Sequence, residues 1–285
     1  MSRLHHIDLA LLRAFVTVAQ TGSISAAARQ LHLTQGAVSQ QIRRLESLFD
    51  CVLLERSIQG TQLTERGAAL LGKARHLLEL NDSLYVEMTG TGAREVVRMG
   101  VPYDMAGAHF APVLKAFTER HPAVEVSIVT GSSVDLMEDF ANGLVDLTLR
   151  QCPASTASGE RLGIEPLVWI SAPGELYRQR PLPLCFVTPT CTFRSTVFAL
   201  LSEARIGWRV VFENASVDTT LSTVAHDMAL TPWLRSLVPP GVQELGAESG
   251  LPTLPDFAIE LHVSSSARPG ALAMAEIIRQ HCLEP

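Results

Sequence analysis

The chain has 285 residues, 47% hydrophobic and 18% charged, which excludes a disordered protein and supplies apolar material for about two domains. A formal net charge of −6 conceals +4 on residues 1–75 against −10 on the remainder, so the amino-terminal end is where an acidic polymer would bind. Five cysteines with no Cys-x-x-Cys pair, no leader pattern at 1–7 and no run of roughly 18 apolar residues point away from disulfides, zinc, secretion and membrane spans, and a cytoplasmic protein without metal or cofactor is expected.

Residues 8–20 place Leu9, Leu12, Phe15, Val16 and Ala19 at spacings of three and four, with Asp8 as N-cap and Gly22 after the end, the pattern of an amphipathic helix. A short helix follows at 25–31, where Ala26, Ala27 and Ala28 permit close packing, and the turn is His32, Leu33 and Thr34. Thr34 caps a third helix at 35–48. At about 100° per residue, Val38, Ile42 and Leu45 fall together while Gly36, Gln40 and Arg43 lie opposite, flanked by Ser39 and Arg44. That slender polar face suits a major groove, where glutamine pairs with adenine edges, arginine with guanine, and small residues admit close approach.

Residues 52–56 and 61–63 read as two short strands around a turn near Gly60, a wing in which Arg56 would face a phosphate. From Thr64 a long helix runs to about Thr89, with Leu70, Ala74, Leu77, Asn81, Leu84 and Met88 alternating spacings of four and three as a coiled-coil seam. At about 1.5 Å per residue it spans roughly 37 Å, too long and one-sided to stand alone, so a second copy is the expected partner. Asn81 would then meet its counterpart across the dimer axis and fix the register.

Two glycines in Thr89-Gly90-Thr91-Gly92-Ala93 mark a domain boundary. Strands at 96–101, 124–130 and 146–150 alternate with helices at 109–120 and 134–142, an order that builds a parallel sheet. Strands at 167–171, 184–187, 209–212 and 228–231, with helices at 195–204 and after Asp218, imply a second α/β lobe. The strand at 259–263 and helix at 271–282 return to the first lobe, giving two lobes joined by two crossings with a ligand between them.

The run from Ser25 to Glu46, followed by Leu53-Leu54-Glu55-Arg56 and Leu63-Thr64-Glu65-Arg66-Gly67, resembles a LysR-type transcriptional regulator, specifically over about residues 9–71 and more weakly beyond. The resemblance implies a bacterial regulator with an all-α-type winged helix-turn-helix at 1–63, a linker dimerisation helix and hinge at 64–92, and a two-lobed α/β, periplasmic-binding-protein-like effector domain at 93–285. Within that domain lobe 1 is expected at about 93–161 and 266–285, and lobe 2 at about 162–265. A homodimer or homotetramer is implied, with double-stranded promoter DNA, a small-molecule effector and RNA polymerase as partners and no enzymatic activity.

Matched to the family's motif, the DNA contacts are Thr34, Gln35, Ser39, Gln40 and Arg43 on the third helix and Arg56 in the wing, Thr34 and Arg56 holding phosphates. Matched to the loops after strands, the effector contacts are Pro102, Tyr103, Asp104, Ser132, Ser133, Arg150, Thr192, Phe193 and Arg194. Arginines at 150 and 194 would favour an anionic ligand such as a carboxylate.

The chain departs from the family in Asp50 and Leu54, where relatives have Gly and Phe, although Asp tolerates the left-handed conformation. It departs also in a wing short of basic residues, in Ala225 and Asp227 where relatives commonly turn on glycine, and in an abbreviated stretch at 164–192. A redox sensor of the same architecture using Cys185 and Cys191, and a DNA-binding protein with a ligand-independent oligomerisation domain, are the alternatives.

Overall fold

The computed structural model describes residues 6–57, 60–89, 95–107, 110–213 and 216–282. They form two compact units, the first within residues 1–94 with 141–144 and the second within 95–140 and 145–285. The hinge read at Gly90 to Ala93, the tip of the wing at Ile58 and Gln59, and the expected helix start at His109 lie outside the described residues.

The first unit opens with α1 (Leu9–Thr21), α2 (Ile24–Gln30) and α3 (Gln35–Phe49). Each is started by a side chain that satisfies an orphan amide of its first turn: Asp8 accepts from Ala10 N, Ser23 from Ala26 N, and Thr34 from Ala37 N at 3.1 Å. The helix α3 ends on Asp50 at φ +50°, so this aspartate takes the left-handed conformation that glycine adopts most readily and aspartate tolerates. Leu12, Phe15, Ala27, Val38, Ile42 and Leu45 form the core between the three helices.

Strands β1 (Leu54–Ser57) and β2 (Gly60–Leu63) pair antiparallel, with Arg56 opposite Thr61. Glu46 of α3 accepts from the amides of Leu53 and Leu54, at 2.9 and 3.3 Å, and clamps the hairpin to the helix. On its other side Thr61 N donates to Gly22 O at 2.9 Å. Gly60 holds φ +119°, and a Cβ there would stand 2.8 Å from that same Gly22 oxygen. The hairpin is thus fixed to the turn between α1 and α2 as well as to α3.

Helix α4 (Glu65–Thr89) follows, and here the expected seam is corrected. Leu71, Ala74 and Leu78 are buried in the unit's own core and Leu70 packs on it, because α4 lies along α1 and is tied to it by the Arg13–Asp82 ion pair at 2.7 Å. Leu70 and Ala74 are therefore engaged within the subunit. Leu77 (42% exposed), Leu84 (58%) and Met88 (78%) remain outward on the neighbouring face, with Asn81 exposed beside them, donating to Asp82 at 3.0 Å.

The second unit holds two lobes. In the first, β3 (Val96–Pro102) pairs parallel with β4 (Glu125–Gly131) and β5 (Leu147–Pro153), with α5 (Ala111–Arg120) and α6 (Ser133–Ala141) as crossovers. The sheet is mixed, contrary to the parallel sheet expected. The strand β11 (Asp256–Val263) returns beside β5 running antiparallel, and the first half of β6 (Glu160–Ser171) pairs antiparallel with β11. Residues 256–263 thus lie in the first lobe's sheet, where a lobe 2 reaching 265 does not place them, and α9 (Pro269–Cys282) packs on it.

The second half of β6 pairs with β9 (Thr231–Leu234) and β10 (Gln243–Glu244), while β7 (Leu182–Phe186) and β8 (Trp208–Glu213) form a parallel pair joined through α7 (Thr192–Glu203). Helix α8 (Val217–Ala225) completes the lobe. The strand expected at 228–231 begins at Thr231 instead, since Asp227 takes φ +56° and its turn delays the extended chain. Strands β6 and β11 make the two crossings.

Candidate DNA interface and effector cleft

On α3 the inner and outer faces separate as the helical period dictates. Val38 and Leu45 are fully buried and Ile42 nearly so, which turns Thr34, Gln35, Gly36, Gln40, Arg43 and Arg44 to solvent and leaves Ser39 half-buried. The side chains of Gln35, Gln40 and Arg43 make no hydrogen bond or ion pair among the described residues. A charge held without a carboxylate partner on a rigid helix is available to a phosphate or a guanine edge. Thr34 Oγ1 accepts from Ala37 N and keeps its own proton to donate. Arg56 stands in β1 opposite Thr61, one strand from the turn that holds α2.

In the second unit the loops following β3, β4 and β7 converge on a cleft between the lobes. Seven expected effector residues line it: Pro102, Tyr103 and Asp104 after β3, Ser132 and Ser133 at the start of α6, and Thr192 and Phe193 at the start of α7. Arg150 and Arg194 do not, which corrects their assignment. Along β5 side chains alternate, so Gln151 faces the cleft while Arg150 points to the other side and meets the buried Glu260 at 3.1 Å. Arg194 pairs with Glu213 and lies over the rings of Phe186 and Phe198, 5.6 and 5.1 Å from their centroids.

The cleft also takes residues that loop matching alone missed: Gln151, Phe186, Val187, Thr188, Cys191 and the β9 segment Thr231 to Trp233. Strand alternation applied to Arg150 would have found Gln151. The β9 segment was displaced by the turn at Asp227.

Asp104 is oriented by Gln151, whose Nε2 donates to both carboxylate oxygens at 3.0 and 2.9 Å. Ser133 Oγ accepts from Gln151 N at 2.9 Å. At the mouth Asp135 Oδ2 accepts from Ser132 Oγ in its own lobe and from Thr190 Oγ1 in the other, each at 2.8 Å. Thr192 Oγ1 donates to Gln151 O at 3.3 Å, a second contact between the lobes. With these contacts made, the cavity is about 30 Å³, room for about two waters.

Burial pushes the Cys185 thiol up to about 12, and burial does the same for Cys191, against the opposing pull of the Phe193 amide. Behind the cleft, burial also raises the Glu260 carboxyl. The amide of Gly159, His262, the amide of Ser158 and Arg150 outweigh it and hold Glu260 below the usual carboxylate range.

Both units of this arrangement are matched by family profiles. Residues 9–68 match the profile described as a bacterial regulatory helix-turn-helix protein of the lysR family, and residues 90–283 the LysR substrate binding domain. The transcriptional regulator DgdR of Burkholderia cepacia is 33% identical over 96% of this chain and 94% of its own. Among solved structures, ArgP of Mycobacterium tuberculosis shares the fold with a TM-score of 0.73 at 16% identity, covering 98% of each chain. Full-length CbnR complexed with its target DNA does so with a TM-score of 0.59 at 20% identity, over 96% of this chain and 100% of that one. An outward polar helix beside a hairpin, a periplasmic-binding-protein-like pair of lobes, and profiles covering both units agree, and the chain belongs to the LysR family of DNA-binding, HTH-type transcriptional regulators.

Proposed function

We propose that this regulator reads promoter DNA through Gln35, Ser39, Gln40 and Arg43 of α3 inserted in the major groove, with Thr34 and Arg56 on the phosphate backbone. The observation that carries this reading is the outward face of α3, where Gln40 and Arg43 stand exposed opposite the buried Val38, Ile42 and Leu45. A second copy covers Leu77, Asn81, Leu84 and Met88 of α4, since so many large apolar side chains on one exposed stripe are otherwise unfavourable in water. The oligomer is a dimer or a dimer of dimers, works in the cytoplasm, has no enzymatic activity of its own, and signals to RNA polymerase.

A small-molecule effector binds between the lobes and shifts the population between open and closed clefts, which requires only that it bind one state more tightly. The thiol chemistry of a redox sensor is disfavoured. With values pushed up to about 12, Cys185 and Cys191 hold a thiolate fraction on the order of 10⁻⁵ at neutral pH, and the thiolate is the reactive species. Footprinting of the purified protein upstream of its own and neighbouring genes, with and without candidate metabolites, tests the function. A discrete protected site that metabolites alter supports it, and uniform binding to all sequences overturns it.

A further inference from the structure

We propose that the second lobe carries a further small-molecule site, apart from the cleft, for a compound with an apolar body and a cationic group. The site stands on its own geometry, and its regulatory use rests on the reading of the cleft as the effector site.

Between β10 and β11 the chain arches over the second half of β6 and leaves a cavity of about 340 Å³, against about 30 Å³ in the cleft. That volume falls within the roughly 300–1,000 Å³ of small-molecule sites. The arch is held by its own bonds, so the cavity is formed before any ligand enters. Trp169 Nε1 donates to Pro252 O at 2.9 Å, and Leu245 N to Trp169 O at 2.9 Å. Ser249 Oγ donates to Gly246 O at 2.7 Å and accepts from Leu251 N at 3.3 Å. Leu167, Trp169, Leu245, Leu251 and Leu254 supply apolar walls.

Charge gathers at the rim, where Arg235, Glu244 and Asp256 line the cavity and are exposed. Glu244 takes the guanidinium of Arg235 at two points, Nε to Oε2 at 3.0 Å and Nη2 to Oε1 at 2.6 Å. Asp256 and Glu165 also lie within electrostatic reach of that arginine, so one positive charge stands among three negative ones. The surplus is negative: a ligand anion is repelled, and an ammonium group gains charge-assisted hydrogen bonds while its apolar body leaves water.

A ligand here bears on the cleft. Strand β9 supplies Trp233 to the cleft, and Arg235 of the cavity follows directly after the strand ends at Leu234. Leu167, Trp169, Leu251 and Leu254 of the cavity share one core with Phe186 and Phe193 of the cleft. Filling the cavity stiffens the packing behind the cleft, and any preference for one cleft state acts equally in both directions.

The test uses the full-length protein and three probes of one shape, 2-phenylethylamine, 2-phenylethanol and 3-phenylpropionate, titrated calorimetrically at neutral pH. Ala247 lines the cavity and is exposed, so Ala247→Trp fills the space from outside the core. We expect the amine to bind more tightly than the alcohol, the acid not to bind, and Ala247→Trp to abolish amine binding. Asp256→Asn should weaken the amine by about 3- to 10-fold, a difference that fades at high salt. Amide exchange at residues 186–193 should slow by about 2- to 10-fold with the amine bound. Acid binding as tight as amine binding, or unchanged amine affinity in Asp256→Asn, overturns the ligand class. Amine binding that survives in a folded Ala247→Trp overturns the site and leaves the cleft reading untouched. Unchanged exchange in the amine-bound protein overturns the coupling to the cleft and leaves the site. Binding of none of the probes overturns the site altogether, and a lower oligomeric state of Ala247→Trp in sedimentation would then give the cavity to a second copy of the chain.

Discussion

The two units treat charge in opposite ways. On α3 the arginine and glutamines proposed to read DNA, Arg43, Gln35 and Gln40, point outward with no partner among the described residues, whereas in the effector domain the conspicuous arginines, Arg150 and Arg194, are bound to Glu260 and Glu213. A side chain that must recognise an external polymer has to be left unsatisfied in the free protein. One that shapes a pocket from behind contributes most when fully paired. Charge alone therefore does not mark a binding residue, and what separates the classes is whether an internal partner is within reach.

The sharpest test removes a paired charge. Glu260 is fully buried and takes hydrogen bonds from Ser158 N and Gly159 N, at 2.5 and 2.6 Å, and from Arg150 and His262, at 3.1 Å each. Glu260→Gln leaves Arg150 without its counter-charge and should cost about 3–5 kcal/mol, read as a lower urea midpoint of the effector domain. The pH dependence follows from the lowered Glu260 value. A carboxylate whose folded value lies below its unfolded one stabilises the fold at pH above the ordinary carboxylate range, and that stability drains away as pH falls through the folded value. The native protein should therefore lose stability in that acidic window, and Glu260→Gln should show a shallower slope there. An unchanged midpoint would mean that the Arg150–Glu260 pair is not a fixed internal partnership.

The complementary test removes an unpaired charge. Arg43→Ala or Gln40→Ala should leave thermal stability nearly unchanged, since both side chains stand in solvent, while eroding discrimination between specific and scrambled DNA by about 1–3 kcal/mol. Competition binding with single-base operator variants reads the loss. A uniform loss over every sequence for Arg43→Ala would place it on a phosphate and narrow the base-reading set to the glutamines.

How far the sequence reaches follows from the same contrast. Helical period alone separated Val38, Ile42 and Leu45 from Gln40 and Arg43, because a regular helix turns spacing directly into direction. The same arithmetic on α4 recognised the apolar stripe but not that Ala74 lies in the subunit's own core, since spacing does not say which neighbour covers a face. In the effector domain the loops after strands were found, and seven of the expected residues line the cleft. Matching the loops after strands names Arg150 and not Gln151, and only the alternation of a strand, which sends adjacent residues to opposite sides, separates the two. The half-exposed start of β6, with Gly163 and Pro166 interrupting its alternation, carried too weak a pattern to be read. The antiparallel return of β11 depends on contacts over about a hundred residues that no local pattern records.

The smallest expected effect concerns an exposed polar contact between the lobes at the mouth of the cleft. Thr190 Oγ1 and Asp135 Oδ2 meet at 2.8 Å across the mouth of the cleft, and Thr190 is exposed, so water can replace either partner. Thr190→Val should therefore cost only about 0.5–1.5 kcal/mol of the closed state. Because the hydroxyl joins one lobe to the other and not one turn to the next, that loss should fall on closure while the folding of either lobe is spared. Hydrogen exchange at the amides of residues 186–193 and 150–153 should quicken by about 2- to 10-fold, the same free energy expressed as a ratio. The amides of β3 and β4 should be unaffected, and Thr190→Ser, which restores the hydroxyl, should recover the native rates. Equal exchange in all three proteins would show that the hydroxyl adds nothing to closure, leaving it to the Thr192–Gln151 contact and to the packing of Phe193 on Phe257 at 4.9 Å between ring centroids.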